Sequence, residues 1–200
     1  EDHWARCLAM SYLGNGLIAG EYLEDALSVQ EAELSMKRRI GSSESCILVA
    51  QSNLALAYQE LGRLEEALRM RRDVYSGRLK LNGIEHSYTL IAANHYADSL
   101  HCLQHFEETK SLLRKMMPVA QRVLGDSNDT TLRMRLIYAR ALCLDTDATL
   151  DDLREAVATL EDTERTARRV FGGAHPLVAS IERDFQRARA GLNAREAASA

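Results

Sequence analysis

The chain has 200 residues, 46% of them hydrophobic, 27% charged and 6% aromatic, with two prolines and a net charge of −4. Such a profile suits a soluble, largely helical protein; there is no run of about 18 apolar residues to span a membrane, and the charge gives no general reason to expect nucleic-acid binding. Arg and Lys are interleaved with acids, as on a solvated surface, and Cys7, Cys46, Cys102 and Cys143 form no CxxC pair or disulfide framework, which points to a reducing, cytoplasmic setting.

Taken in chain order, one pattern recurs four times. It reads LGNGL…YLEDAL at 13–27, LALAY…GRLEEAL at 54–68, YADSL…HFEETK at 96–110 and YARAL…DLREAV at 138–157. After each comes a glycine-containing stretch: RIGSSES (39–45), LNGIEHS (81–87), VLGDSND (123–129) and VFGGAHP (170–176). Their glycines, Gly41, Gly83, Gly125 and Gly172, stand 42, 42 and 47 residues apart. A fixed period of this length signals a repeat architecture. Each unit holds two helical runs of about 17 residues, or about 25 Å. Leu54, Tyr58 and Leu61 mark the apolar face of a first run. Thr109, Leu112, Leu113, Met116, Ala120 and Val123 mark that of a second.

Gly62 falls between the two runs of its unit, where its helix penalty of about 1 kcal/mol disappears if it ends the first helix in a left-handed conformation. The four spaced glycines are expected to end the second helices in the same way. Cations precede them (Lys37, Arg38 and Arg39; Arg78 and Lys80; Arg122; Arg168 and Arg169), as the macrodipole favours. Glu44, His86, Asn128 and His175 follow, where the next helices should begin. Pro176 suits a first helical position, which makes His175 a cap rather than a catalytic base, and Asn128 is a good cap in its own right.

The units also differ. The first is one residue shorter between Ala26 and Gly41, and the third has Gln104 in place of the turn glycine and Thr109 in place of the following Ala. The fourth carries five extra residues within CLDTDATLDD, where Thr149 can cap the next helix with Asp152 three residues on. Pro118, inside a helical run, removes a hydrogen bond and predicts a bend.

On the LAxAY…GRxEEA core of residues 54–67 and the GxxHP linker of 172–176, echoed at 83–87, the sequence resembles the tetratricopeptide repeat, in the 42-residue form of kinesin light chains. The resemblance covers about residues 4–190, closely in the second repeat and loosely in the others. It implies an all-α, right-handed superhelical solenoid of antiparallel helix pairs. Residues 1–200 then form a single array, with repeats at about 4–45, 46–87, 88–129 and 130–176 and a capping helix at about 177–193. EDHW at 1–4 fits the end of such a linker, with His3 in the place of His86 and His175, so the chain reads as an excerpt of a longer array.

The resemblance implies a non-enzymatic interaction module, binding a protein or peptide segment in a concave groove lined by the first helices of the pairs. Candidate groove residues are Asn15, Ser52, Gln59, Asn94, Asp98, His101, Arg133 and Arg140, with Ser11, Ile18, Leu56, Leu136 and Cys143 beside them. Asn can donate to and accept from an extended backbone, and Arg can fork onto a carboxylate. The carboxylate clamp of chaperone-binding members is broken: Asn15 and Asn53 match, but Ser11, Ile91 and His95 stand where bases belong. The alternative function is a regulatory or sensor segment of a larger signalling protein that contacts its own domains; a third is a passive spacer.

No catalytic, cofactor or metal site is expected. His101 and His105 are four apart, as on one helix face, but the turn at Gln104 intervenes and no third ligand has suitable spacing. Nothing orients a base toward Cys102 or Cys143, and the glycines end helices rather than open a phosphate loop.

Overall fold

The computed structural model describes residues 2–199, and side chains over 4–198. All of its described elements are α-helices, the fold class expected. The chain divides into two compact units, Glu1–Gly83 and Ile84–Ala200. The first holds α1 (Asp2–Ala19), α2 (Leu23–Arg39), α3 (Glu44–Glu60) and α4 (Leu64–Asn82). The second holds α5 (Ser87–Cys102), α6 (Phe106–Leu124), α7 (Asp129–Leu144), α8 (Leu150–Phe171) and α9 (Pro176–Ser199). Within each unit successive helices pack on one another, and so do alternate odd-numbered ones: α1 on α3, α5 on α7, α7 on α9. Within each unit, the odd-numbered helices therefore form one layer and the even-numbered helices the other.

The turns inside the pairs follow the logic of Gly62. Its φ is +73°; its N–H donates to the Gln59 carbonyl at 2.9 Å and that of Arg63 to Tyr58 at 2.8 Å, which is a Schellman ending. The same bonds recur at Glu21 (φ +63°) and Gln104 (φ +62°), where a side chain occupies the left-handed region at a cost of about 1–2 kcal/mol. Gln104 is exposed, so Gln104→Gly should raise the unfolding free energy by about 1 kcal/mol, read as a higher denaturant midpoint. An unchanged or lower midpoint would contradict this strain.

The linkers after the second helices correct the expectation. Gly83, Gly125 and Gly172 combine φ of +79°, +91° and +78° with ψ of 172°, 159° and 160°. This is an extended positive-φ region that only glycine enters readily, not the left-handed helical one. Only Gly41, in the linker that is one residue shorter, closes with Schellman bonds, through Arg38 and Lys37. The extended form carries the chain away from one pair so that the next can start.

Side chains start the next helices. The Nδ1 atoms of His86 and His175 accept from the N–H groups of Tyr88 and Leu177, each at 3.2 Å, and Asn128 accepts from Thr130 at 2.9 Å. Before α3 the cap is Ser43, which accepts from Cys46 at 3.4 Å; Glu44 is the first helical residue instead. Thr149 and Asp152 form the expected capping box. The EDHW linker reading falls partly outside the described residues, which exclude Glu1 and the side chain of His3; the helix α1 begins at Asp2.

In the first unit the core gathers Leu27, Leu34, Ala50, Leu54 and Ala57, with Ile18, Tyr58 and Leu61 packed against it. In the second unit Leu90, Leu113, Met116, Leu132, Leu160 and Ile181 are fully buried. Thr109 is buried where Ala is usual, because its hydroxyl donates to the His105 carbonyl at 2.8 Å. Val123, expected on the buried face of α6, is exposed in the last turn. Helix α6 runs unbroken through Pro118, on its exposed side. Helix α9 extends six residues past the expected end, held by Arg154 to Glu196 at 2.8 Å.

Candidate binding face

In the second unit, helical spacing places Ile91, Asn94, His95 and Asp98 on one stripe of α5, and Arg133, Leu136, Ile137 and Arg140 on one stripe of α7. Behind these stripes Ala93, Ala97, Ala139 and Ala141 are wholly buried; their small side chains let the helices approach. The two stripes, with Asp129 and Thr130, line a cavity of about 430 Å³.

Four of the sequence-predicted residues meet in this cavity: Asn94, Asp98, Arg133 and Arg140. Asn94 is 6% exposed, and its Oδ1 is buried without a hydrogen-bond partner among the described residues. Arg133 is exposed and pairs with Asp129 at 2.6 Å. Arg140 donates to Asp184 of α9 at 2.7 Å and to the Ser180 hydroxyl at 2.9 Å.

Arg140 also borders a second cavity of about 300 Å³, between α7, α8 and α9, which His101 closes from α5. The Nδ1 of His101 is buried without a partner among the described residues. Burial, and then the charge of Arg140, lowers its pKa against the opposing pull of Asp98 and Asp184. Burial, with a smaller contribution from Asp184, pushes the Cys143 thiol up to about 11. A neutral thiol at neutral pH is the opposite of an activated nucleophile. His105 lies beyond the end of α5, with Nδ1 3.4 Å from Glu108, so it shares no helix face with His101.

In the first unit Asn15 lines a cavity of about 440 Å³ built from α1, the end of α2, and α3. Its Oδ1 accepts from the buried Gln30 at 3.4 Å. Ser11 also lines it and donates to the buried Glu33. Ser52 and Gln59 are half-buried on α3 and do not line this cavity, while Ile18 belongs to the core. What the sequence reading missed is an aromatic stripe: Trp4 and Tyr12 are each 70% exposed, with Leu8 between them. Their i, i+4, i+8 spacing is a readable signal. Asp184, the partner of Arg140, was also missed, because α9 was read only as a cap.

A family model described as tetratricopeptide repeat matches residues 47–88, which span most of α3, all of α4 and the linker after it. No curated protein matches the sequence. Among solved structures, the fold is similar to that of a kinesin light chain-like protein of Podosopora anserina with nearly identical TPR-like repeats. In one crystal structure of it the TM-score is 0.80 at 20% identity, over 100% of this chain and 92% of that one. In another it is 0.77 at 21% identity, over 97% and 90%. BtubC (BKLC) from P. vanneervenii is also similar, with a TM-score of 0.62 at 16% identity over 94% of this chain and 80% of that one.

Proposed function

We propose that this chain, a tetratricopeptide-type helical repeat protein like those kinesin light chain-like structures, is a non-enzymatic interaction module that holds a protein or peptide segment on its odd-numbered helices. Fold alone does not decide function. The observation that carries the reading is the buried, unpartnered Oδ1 of Asn94 in the cavity between α5 and α7. An orphaned buried acceptor costs about 1–3 kcal/mol, and a turn of the Asn94 amide into the cavity, to accept from the backbone N–H of an extended segment, would remove that cost. Arg133, tied among the described residues only to an exposed neighbour one turn away, can turn to a carboxylate on the same segment. Because the surface is preformed, ordering cost falls on the ligand alone.

The test is affinity capture from cell extract with the wild-type chain and an Asn94→Ala, Arg133→Ala variant, both checked as helical by circular dichroism. Partners held by wild type should be weakened about tenfold or more by the variant. Partners retained equally by both would place recognition elsewhere.

A further inference from the structure

The second cavity shares only Arg140 with the first and has its own chemistry. Its floor is apolar (Ala139, Leu153, Leu160, Ala188) and its mouth opens beside Gly191. Three guanidiniums, Arg140, Arg183 and Arg187, border it against a single carboxylate, Asp184. That carboxylate is occupied by Arg140 at 2.6 Å, with Arg187 at 3.9 Å. Arg183 is exposed and makes no ion pair or hydrogen bond among the described residues. The pocket therefore joins an apolar interior to an uncommitted cation at its rim.

We infer that this pocket binds a small carboxylate with an apolar body, its hydrocarbon on Leu153, Leu160 and Ala188 and its carboxylate on the Arg183 guanidinium. Three observations select this class. The volume of about 300 Å³ lies at the small end of ligand sites, which limits the body to about one aromatic ring and a short chain. The planar fork of Arg matches a carboxylate. The apolar walls add nothing for a compact inorganic anion, which has only the rim guanidinium to hold it, whereas they reward a hydrocarbon body. All lining residues lie in the second unit, so the proposal does not depend on a peptide occupying the other cavity.

The probes are 3-phenylpropanoate and, as the uncharged control, 3-phenylpropanamide, titrated into the full chain and followed by amide chemical shifts. The expected result is saturable shifts around Ala188 and Leu153 with the acid, and binding weaker by about tenfold with the amide, the loss of one charge-assisted bond. Arg183→Ala should weaken the acid by the same factor. Gly191→Leu, where an added side chain meets open space, should fill the mouth and weaken acid and amide alike. Both positions are exposed, and circular dichroism of each variant checks the fold. No saturable shift with either probe, or equal affinity of wild type and both variants for the acid, would overturn the proposal.

Discussion

Replacing Lys110 by Ala is expected to lower the unfolding free energy by about 2 kcal/mol, less than the cost of breaking a fully buried pair, because its carboxylate partners keep contact with water. Lys110 is 5% exposed on α6. Its Nζ lies 2.7 Å from Asp145, which follows α7, and 2.5 Å from Glu107 one turn back. Asp145 also accepts from the Asp147 N–H at 3.1 Å, so the ammonium fixes the start of the inserted turn. Taking it away leaves a half-buried carboxylate without its cation. Lys110→Met restores the apolar stem but not the charge, and should recover only the packing part of the loss.

The same pair sets a pH window. The hydrogen bond from Lys110, then that from the Asp147 backbone, holds the Asp145 carboxyl below its ordinary value. Burial lowers the Lys110 pKa, but the bonds to Asp145 and Glu107 outweigh it and leave the pKa raised. A carboxyl depressed in the folded state contributes stability above its unfolded pKa of about 3.9, and that contribution is lost as pH falls through the folded value. A raised lysine contributes below about 10.4 and is lost as pH rises through its folded value. The stability difference between wild type and a Lys110→Met, Asp145→Asn variant should therefore stay flat between about pH 5 and 9 and shrink on the acid side. Urea midpoints across that range and below it measure it. A difference that grows with acid would show that the pair does not act as described.

The repeat period was legible because it is written in glycines, and glycine marks a backbone requirement that no neighbour can satisfy. Caps were legible for the same reason: Asn128, His175 and Thr149 act on backbone groups two or three residues away. Features that depend on distant packing are less legible. Val123 fits the apolar spacing of α6 yet is exposed, since periodicity cannot say where the facing helix ends. Thr109 looks like a defect in the repeat until its hydroxyl is seen on a backbone carbonyl. At the candidate site, the spacing rule gathered Asn94, Asp98, Arg133 and Arg140 into one cavity, because these lie on stripes of adjacent odd-numbered helices. It could not foresee that Arg140 would be engaged by Asp184, 44 residues on, nor that Trp4 and Tyr12 would stay exposed. Which partner a charge finds, and which aromatic stays uncovered, is decided by tertiary neighbours.

Gly125→Ala is expected to cost about 2 kcal/mol, more than Gly62→Ala, at about 1–2 kcal/mol. In neither case would the new methyl meet an atom beyond its adjoining residues within 4 Å, so the difference isolates the local backbone. At φ +91° and ψ 159° a Cβ meets its own peptide oxygens in a region nearly closed to other residues, whereas the left-handed helical region is only strained. Gly191→Ala supplies the opposite control: α9 is helical there and the added methyl again meets open space, so stability should rise by about 1 kcal/mol. Denaturant midpoints of the three variants test the order. Equal losses at positions 62 and 125 would mean that the linker relaxes to another conformation when alanine is forced on it. That alternative has a separate signature. The linker after α6 sets where α7 starts, and Asn128, which caps α7, lies three residues beyond Gly125. A relaxed linker would thus displace Asp129, Thr130 and Arg133 from the cavity they line with α5, and the Gly125 variant would lose binding there while losing no more stability than the Gly62 variant.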